Sequence, residues 1–209
     1  MSLLLKISRN FLFFLCFMSC YQSLWAEEKI VVESNPIKSK AIEFPSIEDK
    51  GGDFTLFSDK GAVSLSDFKG KVVAFYFGYT QCPDICPTNL SILSQALHKL
   101  SKQEMQLLQP LFISMDPGRD SPSRLTEYVN FFHPKFIGLS AAPDDLEPVV
   151  QQYGAFYEKV KYSNSAMLYG IDHTSEIYII DKQGQLFKIL PHASPVDIVV
   201  QVLREVIKQ

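Results

Sequence analysis

Two cysteines stand four residues apart in the stretch FGYTQCPDICPTNLS, which covers positions 77 to 91. Cys82 and Cys86 enclose the tripeptide Pro-Asp-Ile, and three uses are open to such a pair: a structural disulfide, a redox couple or a metal clamp. A bridge between residues this close closes a very small loop and therefore adds little stability. The structural disulfide is the weakest of the three interpretations.

The spacing of the pair bears on the choice between a redox couple and a metal clamp. Three intervening residues hold two sulfurs further apart than the two residues of thioredoxin-type reductases. The wider opening suits sulfurs bridged by an ion with bonds of about 2.3 Å, the zinc–thiolate value. Thiolates are soft donors that select Cu(I) or zinc over hard cations. Spacing alone favours the metal clamp and the redox couple about equally.

Two protein ligands rarely complete a metal site, so a clamp predicts a third ligand, and histidine is the expected type. The chain has four histidines. His98 is expected on the exposed face of a helix, His133 in a helix-ending turn and His192 in a loop. His173 is expected in a loop just before a strand, beside Asp172, whose carboxylate could fix the tautomer of the imidazole. Its position favours His173 as the third ligand, and we weigh His173 about equally against the other three histidines taken together.

The elements around the cysteines must place them at one end of a sheet. The apolar run KVVAFYFGY predicts a central strand over 71–77, buried on both faces. A helix is predicted over 88–102, with Pro87 in its first turn, and a second buried strand over 110–115. Together they predict a right-handed crossover. The pair then lies at a strand's carboxyl end and a helix N-terminus, where thiolates are favoured and α/β sheets bind ligands.

The remaining pattern predicts the fold class. A hairpin is expected around the turn SDKG, and a second hairpin turns at 182–184. Between them lie three predicted strand–helix units, the second helix capped by Ser121 with Pro122 at its first position. The chain closes with an amphipathic helix. This order predicts an α/β domain of thioredoxin-like fold, with a central mixed sheet flanked by helices and an N-terminal hairpin.

The first 26 residues have the pattern of a secretory signal. Lys6 and Arg9 precede the apolar run FLFFLCFM, and a polar stretch follows that offers Ala26 as the small residue at a cleavage point. The run is shorter than the usual membrane span of about 20 residues. No charge occurs from position 10 to 26, so an uncleaved anchor stays open, as does lipidation at Cys20. Residues 1–26 are interpreted as a signal peptide or N-terminal anchor.

Export determines how the rest of the chain is interpreted. Residues 27–45 are predicted to be a linker and 46–209 the folded domain, in the periplasm or anchored and facing it. The domain then keeps only Cys82 and Cys86, in a compartment that oxidises thiols. The full chain has 46% hydrophobic and 21% charged residues, as an ordinary globular protein does. The net charge of −3 argues against a nucleic-acid partner.

Four segments, taken in order, resemble the signatures of the Sco/SenC proteins. They are FKGKVVAFYFGYTQCPDICPTNL, ISMDPGRDSPSRLTEYV, FIGLSAAPDDL and GIDHTSEIYIIDKQG. The resemblance runs from about Phe54 to the C-terminus and implies a thioredoxin-like fold. One segment contains the Asp-Pro loop of the family, from Asp116 to Asp120, which is interpreted as a turn followed by a helix cap. Gln81 departs from the residue that many relatives carry before the first cysteine.

The resemblance also implies a function. Members of the family bind one copper ion, as Cu(I) or Cu(II), through two cysteines and a distant histidine, which here are Cys82, Cys86 and His173. They are metallochaperones that help to assemble the dinuclear copper centre of cytochrome c oxidase, by delivering copper, by reducing the target's cysteines, or by both. The implied partners are the copper-receiving subunit of the oxidase or another envelope copper protein, together with thiol–disulfide reductants.

A second hypothesis gives the same cysteines another role. Cys82 and Cys86 would be the redox pair of an envelope thiol–disulfide oxidoreductase that acts without metal, and His173 a bystander or proton shuttle. A thiol peroxidase is discounted, because the Pro-x-x-x-Thr/Ser-x-x-Cys pattern of peroxiredoxins fits neither cysteine: Phe75 and Tyr79 occupy the two positions ahead of Cys82.

Overall fold

The structure, a computed structural model, describes residues 50 to 162 and 168 to 209. Its strands are β1 (Thr55–Ser58), β2 (Gly61–Ser64), β3 (Val72–Gly78), β4 (Leu108–Ser114), β5 (Ile137–Leu139), β6 (Tyr157–Lys161), β7 (Tyr169–His173), β8 (Ile177–Ile180) and β9 (Leu186–Leu190). Its helices are α1 (Ile85–His98), α2 (Lys102–Gln106), α3 (Pro122–Phe132), α4 (Pro143–Gln152) and α5 (Val196–Lys208), with a 3₁₀ turn at Leu65–Phe68. The predicted targeting segment 1–26 and linker 27–45 lie outside the described residues.

A mixed five-stranded sheet in the order β5-β4-β3-β8-β9 forms the centre of the domain. Strand β3 runs parallel to β4, and β4 to β5, whereas β8 pairs antiparallel with both β3 and β9. Strands β1 and β2 form the predicted N-terminal hairpin. The predicted α/β class and mixed central sheet are confirmed. No helix in the described ranges combines the length and apolarity needed to cross a membrane.

Strand β3 is buried along its whole length, as its apolar run predicts. Alternate side chains of a strand point to opposite faces. On one face Phe75 stacks on Tyr178, with ring centroids 4.9 Å apart, and meets the ring of Tyr153 edge-on. On the other face Tyr76 reaches Cys86 at the start of α1. The central strand therefore joins the aromatic core directly to the cysteine segment.

Helix α1 begins and ends earlier than the sequence pattern predicts. It runs from Ile85 to His98 rather than over 88–102, and Pro87 is its third residue. A proline is tolerated throughout the first turn, because N–H groups there have no partner within the helix. At the other end Ser101 and Glu104 form a reciprocal capping box that starts α2 as a separate helix. Cys86 consequently lies inside the first turn of α1.

Strands β6 and β7 form a separate two-stranded antiparallel ribbon that the sequence analysis missed. Strand β6 has the sequence YEKVK, and its side chains are exposed or half-buried. It therefore lacks the apolar run by which the other strands were recognised. His173 is the last residue of β7, paired with Tyr157, so its prediction as a loop residue is wrong.

Candidate metal centre

The two cysteines lie at the junction between β3 and α1. Cys82 is in the connecting loop and Cys86 is the second residue of the helix. Both are free thiols rather than a disulfide. The backbone N–H of Cys86 donates to the Sγ of Cys82 over 3.4 Å, so the helix start supplies a donor to the outer sulfur. Cys86 is fully buried, whereas Cys82 retains 8% of its surface.

The third side chain is that of His173, whose Nε2 lies 3.4 Å from the Sγ of Cys86 across 87 residues of sequence. The ligand atoms of Cys82, Cys86 and His173 all lie within 4.8 Å of one another. Across the described residues this is the only cluster of three or more Cys, His, Asp or Glu side chains with such spacing. Of the four candidate histidines, the structure brings His173 to the cysteines and places His98 beside His133 instead.

The imidazole of His173 is held in one tautomer by the backbone. Its Nδ1 lies 2.7 Å from the carbonyl oxygen of Thr174. A carbonyl only accepts, so Nδ1 carries the proton and the lone pair of Nε2 faces the sulfurs. The prediction that Asp172 orients the ring is wrong. Asp172 is exposed, and its side chain lies on the opposite side of the strand from that of His173. A backbone acceptor leaves no signal in the sequence.

Two tyrosines form the wall of the cluster. The hydroxyl of Tyr76 donates to the Sγ of Cys86 over 3.9 Å. The rings of Tyr76 and Tyr79 meet the imidazole of His173 edge-on, with centroids 6.1 and 5.8 Å away. Both tyrosines are buried, so they restrict the ring's orientation and exclude water from the inner side of the cluster.

The two thiols have very different acidities. A hydrogen bond from the Cys86 side chain, assisted by the backbone N–H groups of Asp84 and Cys86, outweighs burial and lowers the pKa of Cys82 to about 4. Burial raises the pKa of Cys86, and the neighbouring Cys82 sulfur raises it further. The reduced, metal-free pair at neutral pH is therefore an outer thiolate and an inner thiol. The pair therefore carries one negative charge, which lies on Cys82 and is stabilised by the hydrogen bond from the Cys86 thiol.

The Asp-Pro loop does more than the predicted turn and cap. Ser121 caps α3 through a hydrogen bond to the N–H of Arg124, as predicted. Asp120, however, is 1% exposed. Its carboxylate accepts hydrogen bonds from the N–H and the hydroxyl of Thr80 and from the hydroxyl of Ser114. A buried carboxylate thus fixes the residue two positions before Cys82.

A second buried carboxylate of the same loop is bonded to the ribbon that carries His173. Asp116 forms an ion pair with Arg119 and accepts a hydrogen bond of 2.8 Å from the hydroxyl of Tyr169. The guanidinium of Arg119 lies over the ring of Tyr169, 3.6 Å from its centroid, and donates to the side-chain oxygen of Gln81 over 3.2 Å. This contact network joins the cysteine loop to β7. Sequence reasoning missed it, because only burial distinguishes these acids from solvated loop residues.

The donor set and its spacing fit a soft metal ion. Bonds of about 2.3 Å to sulfur and about 2.0 Å to nitrogen place the ligands of one three- or four-coordinate ion roughly 3.5 to 4 Å apart. The 3.4 Å between the Sγ of Cys86 and the Nε2 of His173 is close to that range, and all three ligand atoms lie within 4.8 Å of one another. Two sulfurs and one imidazole nitrogen favour Cu(I) or zinc over calcium or magnesium.

Comparison with known proteins identifies relatives over nearly the whole domain. The SCO1/SenC family model matches residues 44–208. An SCO2-like protein of Rickettsia prowazekii is 36% identical over 188 residues, which are 88% of this chain and 91% of that protein. The solution structure of apo Sco1 from Thermus thermophilus is 39% identical with a TM-score of 0.68, covering 75% of this chain and 91% of that one.

A further solved relative is the crystal structure of Arabidopsis thaliana ScoI with copper bound. It is 35% identical, has a TM-score of 0.69, and covers 76% of this chain and 99% of that chain. Together these matches confirm the predicted thioredoxin-like α/β fold. They also confirm the resemblance that the four sequence segments indicate.

Proposed function

Because this chain belongs to the SCO1/SenC family, we propose that it is a copper-binding metallochaperone that helps to assemble the dinuclear copper centre of cytochrome c oxidase. Cys82, Cys86 and His173 are the proposed ligands of one copper ion per chain. The observation that carries this proposal is the convergence of a remote imidazole nitrogen on two sulfurs, with its lone pair facing them.

Copper is favoured over zinc by the chemistry of the donors and by the related structure solved with copper bound. Two thiolates and a neutral imidazole leave one negative charge with Cu(I) and none with Cu(II). The site can therefore accept either oxidation state without a large uncompensated charge in a buried position. Copper in this proposal is cargo, held until a partner with its own ligands receives it.

Occupancy and redox state are coupled, because the ligands are also the redox pair. Oxidation of Cys82 and Cys86 to a disulfide removes both sulfur ligands at once. The proposed partners are therefore a copper-receiving subunit of cytochrome c oxidase or another envelope copper protein, and the thiol–disulfide reductants that keep the pair reduced. Delivery of copper and reduction of the target's cysteines are both compatible with this chemistry. The proposed location is the periplasm, either free there or anchored in the membrane and facing it.

The test is an anaerobic Cu(I) competition titration of the reduced full-length chain in mild detergent. We expect one equivalent to bind. His173→Ala should weaken binding by at least about 100-fold, more than loss of an outer-shell partner of a ligand. The control is His98→Ala, which removes an exposed histidine at the opposite end of α1 from Cys86. Equal affinity of the two variants would refute the assignment of His173.

A second candidate function is thiol–disulfide exchange without metal, and the difference between the two sulfurs favours it. Cys82 is the outer thiolate with a pKa lowered to about 4, whereas Cys86 is the buried thiol. An attacking thiolate beside a protected resolving thiol is the arrangement of a dithiol reductant. Reduction of a disulfide substrate at an unchanged rate by metal-free His173→Ala protein would support this role, and failure of the metal-free wild type to reduce that substrate would count against it.

A further inference from the structure

Asn89 is a buried polar side chain on α1 that neither the metal centre nor the core explains. It lies three positions after Cys86, and only 1% of its surface is exposed. A buried amide is costly unless its polar atoms find partners. Its Nδ2 donates to the carbonyl oxygen of Ser175 over 2.7 Å, and its Oδ1 accepts from the N–H of Ala193 over 3.1 Å. Both of these partners are backbone groups of other segments, and the amide also interacts with the hydroxyl of Tyr76 in the wall of the cluster.

The bond to Ser175 acts on the segment that follows His173. Residues three apart on a helix share a face, so Cys86 and Asn89 both face the end of β7. The imidazole nitrogen approaches Cys86, and two residues later the backbone is bonded to Asn89 on the same helix. One helical turn therefore contacts the histidine segment at two points, through a sulfur and through an amide.

The bond to Ala193 brings in a third segment, the loop after β9. Ala193 has a φ of 56°, in the left-handed region that residues other than glycine rarely adopt. Such a conformation persists only where surrounding contacts hold it. The Oδ1 of Asn89 accepts the N–H of this residue. The amide thus joins the loops after β7 and β9 to the helix that carries the inner cysteine.

We propose that Asn89 is a positioning residue for the metal centre, which sets the placement of His173 relative to Cys86 without contacting the metal. The proposal rests on the proposed function of the site. The carbonyl of Thr174 orients the imidazole, and the amide of Asn89 anchors the backbone from which that carbonyl projects. Loss of the amide donor frees the Ser175 carbonyl, and the end of β7 is then no longer held against α1.

Two substitutions separate this role from general stability. Asn89→Asp has nearly the same shape and keeps an acceptor for Ala193, but its carboxylate cannot donate to Ser175. Asn89→Ala removes both bonds. The matched control is Ser94→Ala on the same helix, because Ser94 is also buried and donates over 2.7 Å to the carbonyl of Phe132, away from the histidine segment.

The first measurement uses the metal-free full-length chain, with imidazole ¹⁵N shifts recorded for His173. Wild type and Ser94→Ala should show a single tautomer with the proton on Nδ1, and both Asn89 variants a mixture. The second measurement is Cu(I) affinity by competition. We expect Asn89→Asp and Asn89→Ala to bind at least about tenfold more weakly, within the range for groups that orient a ligand. Ser94→Ala should keep the affinity of the wild type.

The outcomes distinguish this inference from the proposed function. If the wild type binds no copper but the Asn89 variants lose the single tautomer, the copper proposal fails and the positioning role stands. If the wild type binds copper and both Asn89 variants match Ser94→Ala in tautomer and affinity, the positioning role is refuted. Failure of both Asn89 variants to fold would also refute it, since Asn89 would then act on the whole domain.

Discussion

Gly78, the last residue of β3, lies directly against the inner sulfur: a Cβ atom added to it would be 2.9 Å from the Sγ of Cys86. The same atom would be 2.8 Å from the ring of Phe112 and 2.9 Å from the ring of Tyr76. Real Cβ atoms do not approach neighbours this closely. A glycine is therefore required where the strand backbone contacts the buried thiol.

Gly78→Ala should destabilise the domain and displace the inner sulfur together. We expect the free energy of unfolding to fall by about 1 to 3 kcal/mol, the usual cost of overpacking a core, and Cu(I) affinity to fall with it. Gly118→Ala is the control, because its added methyl would meet nothing closer than a side-chain oxygen of Asp116 at 3.8 Å. Urea denaturation and copper competition measure both effects, and equal behaviour of the two variants would contradict the prediction.

Cys82 should stay reactive in acid. Its pKa is lowered from 9.0 to about 4, so alkylation of the reduced, metal-free chain by iodoacetamide should lose half its rate only near pH 4. An unperturbed thiol, with a pKa of about 8.5, is under about 1% thiolate at pH 6. Cys86→Ala removes the hydrogen bond that contributes most to this shift and should raise the midpoint. Mass spectrometry follows the reaction, and a wild-type midpoint near 8.5 would refute the assignment.

The lowered pKa of Cys82 also makes the free energy of unfolding depend on pH. The unfolded chain holds the Cys82 proton up to a pH near 9, whereas the folded chain releases it above about 4. The contribution of this thiolate to folding is therefore complete above pH 9 and is lost as the pH falls through 4. Cys82→Ser should be less sensitive than wild type to a fall in pH from 7 to 4 when unfolding is measured in urea.

Asp116→Asn should cost far more stability than a surface ion-pair variant. The Asp116 side chain is 1% exposed and contacts Arg119, so loss of its charge removes the carboxylate beside a largely buried guanidinium. We expect a loss of about 3 kcal/mol, at the low end of the range for a broken buried pair. Asp197→Asn breaks the exposed contact with Lys99 and should leave the urea midpoint nearly unchanged, because solvent screens such a pair. Similar urea midpoints for both variants would contradict this.

Oxidation of the pair should release copper. Two ferricyanide ions each accept one electron from the metal-free pair, the single thiol proton is released, and Cys82 and Cys86 form a disulfide that leaves His173 as the remaining proposed ligand. We expect Cu(I) affinity to fall by more than about 100-fold and to return on reduction with a phosphine. Competition titrations of the oxidised and re-reduced chain test this, with Cys82→Ser as a variant that cannot form the bridge. Copper retained by the oxidised wild type would count against it.

The sequence predicts those elements of the fold whose residues follow a clear apolar pattern. Strand β3, the N-terminal hairpin and the closing helix α5 each carry a hydrophobic period that only one element satisfies. The start of α1 was misplaced, because Pro87 is compatible with several positions of a first turn. The β6–β7 ribbon was missed altogether, since neither YEKVK nor YGIDH contains an apolar run.

Only those parts of the candidate site were predictable whose residue types themselves indicate metal binding or redox chemistry. Spacing gave the cysteine pair, and the family resemblance singled out His173 from four histidines. The structure adds the groups that hold them: the carbonyl of Thr174, the amide of Asn89 and the buried carboxylate of Asp120. Each acts through a backbone group or through burial, which depend on the folded chain and leave no pattern along it.

The histidine is carried by a ribbon that shares no backbone ladder with the central sheet, whereas both sulfurs sit at the end of that sheet's middle strand. An ion bound here would bridge two separately built pieces of the molecule. The contacts of Tyr169 with Asp116 and Arg119, and the hydrogen bond from Asn89 to Ser175, hold these two pieces together. The dimensions of the coordination space are therefore set by how the ribbon packs on the cysteine-bearing segment, and not by either piece alone.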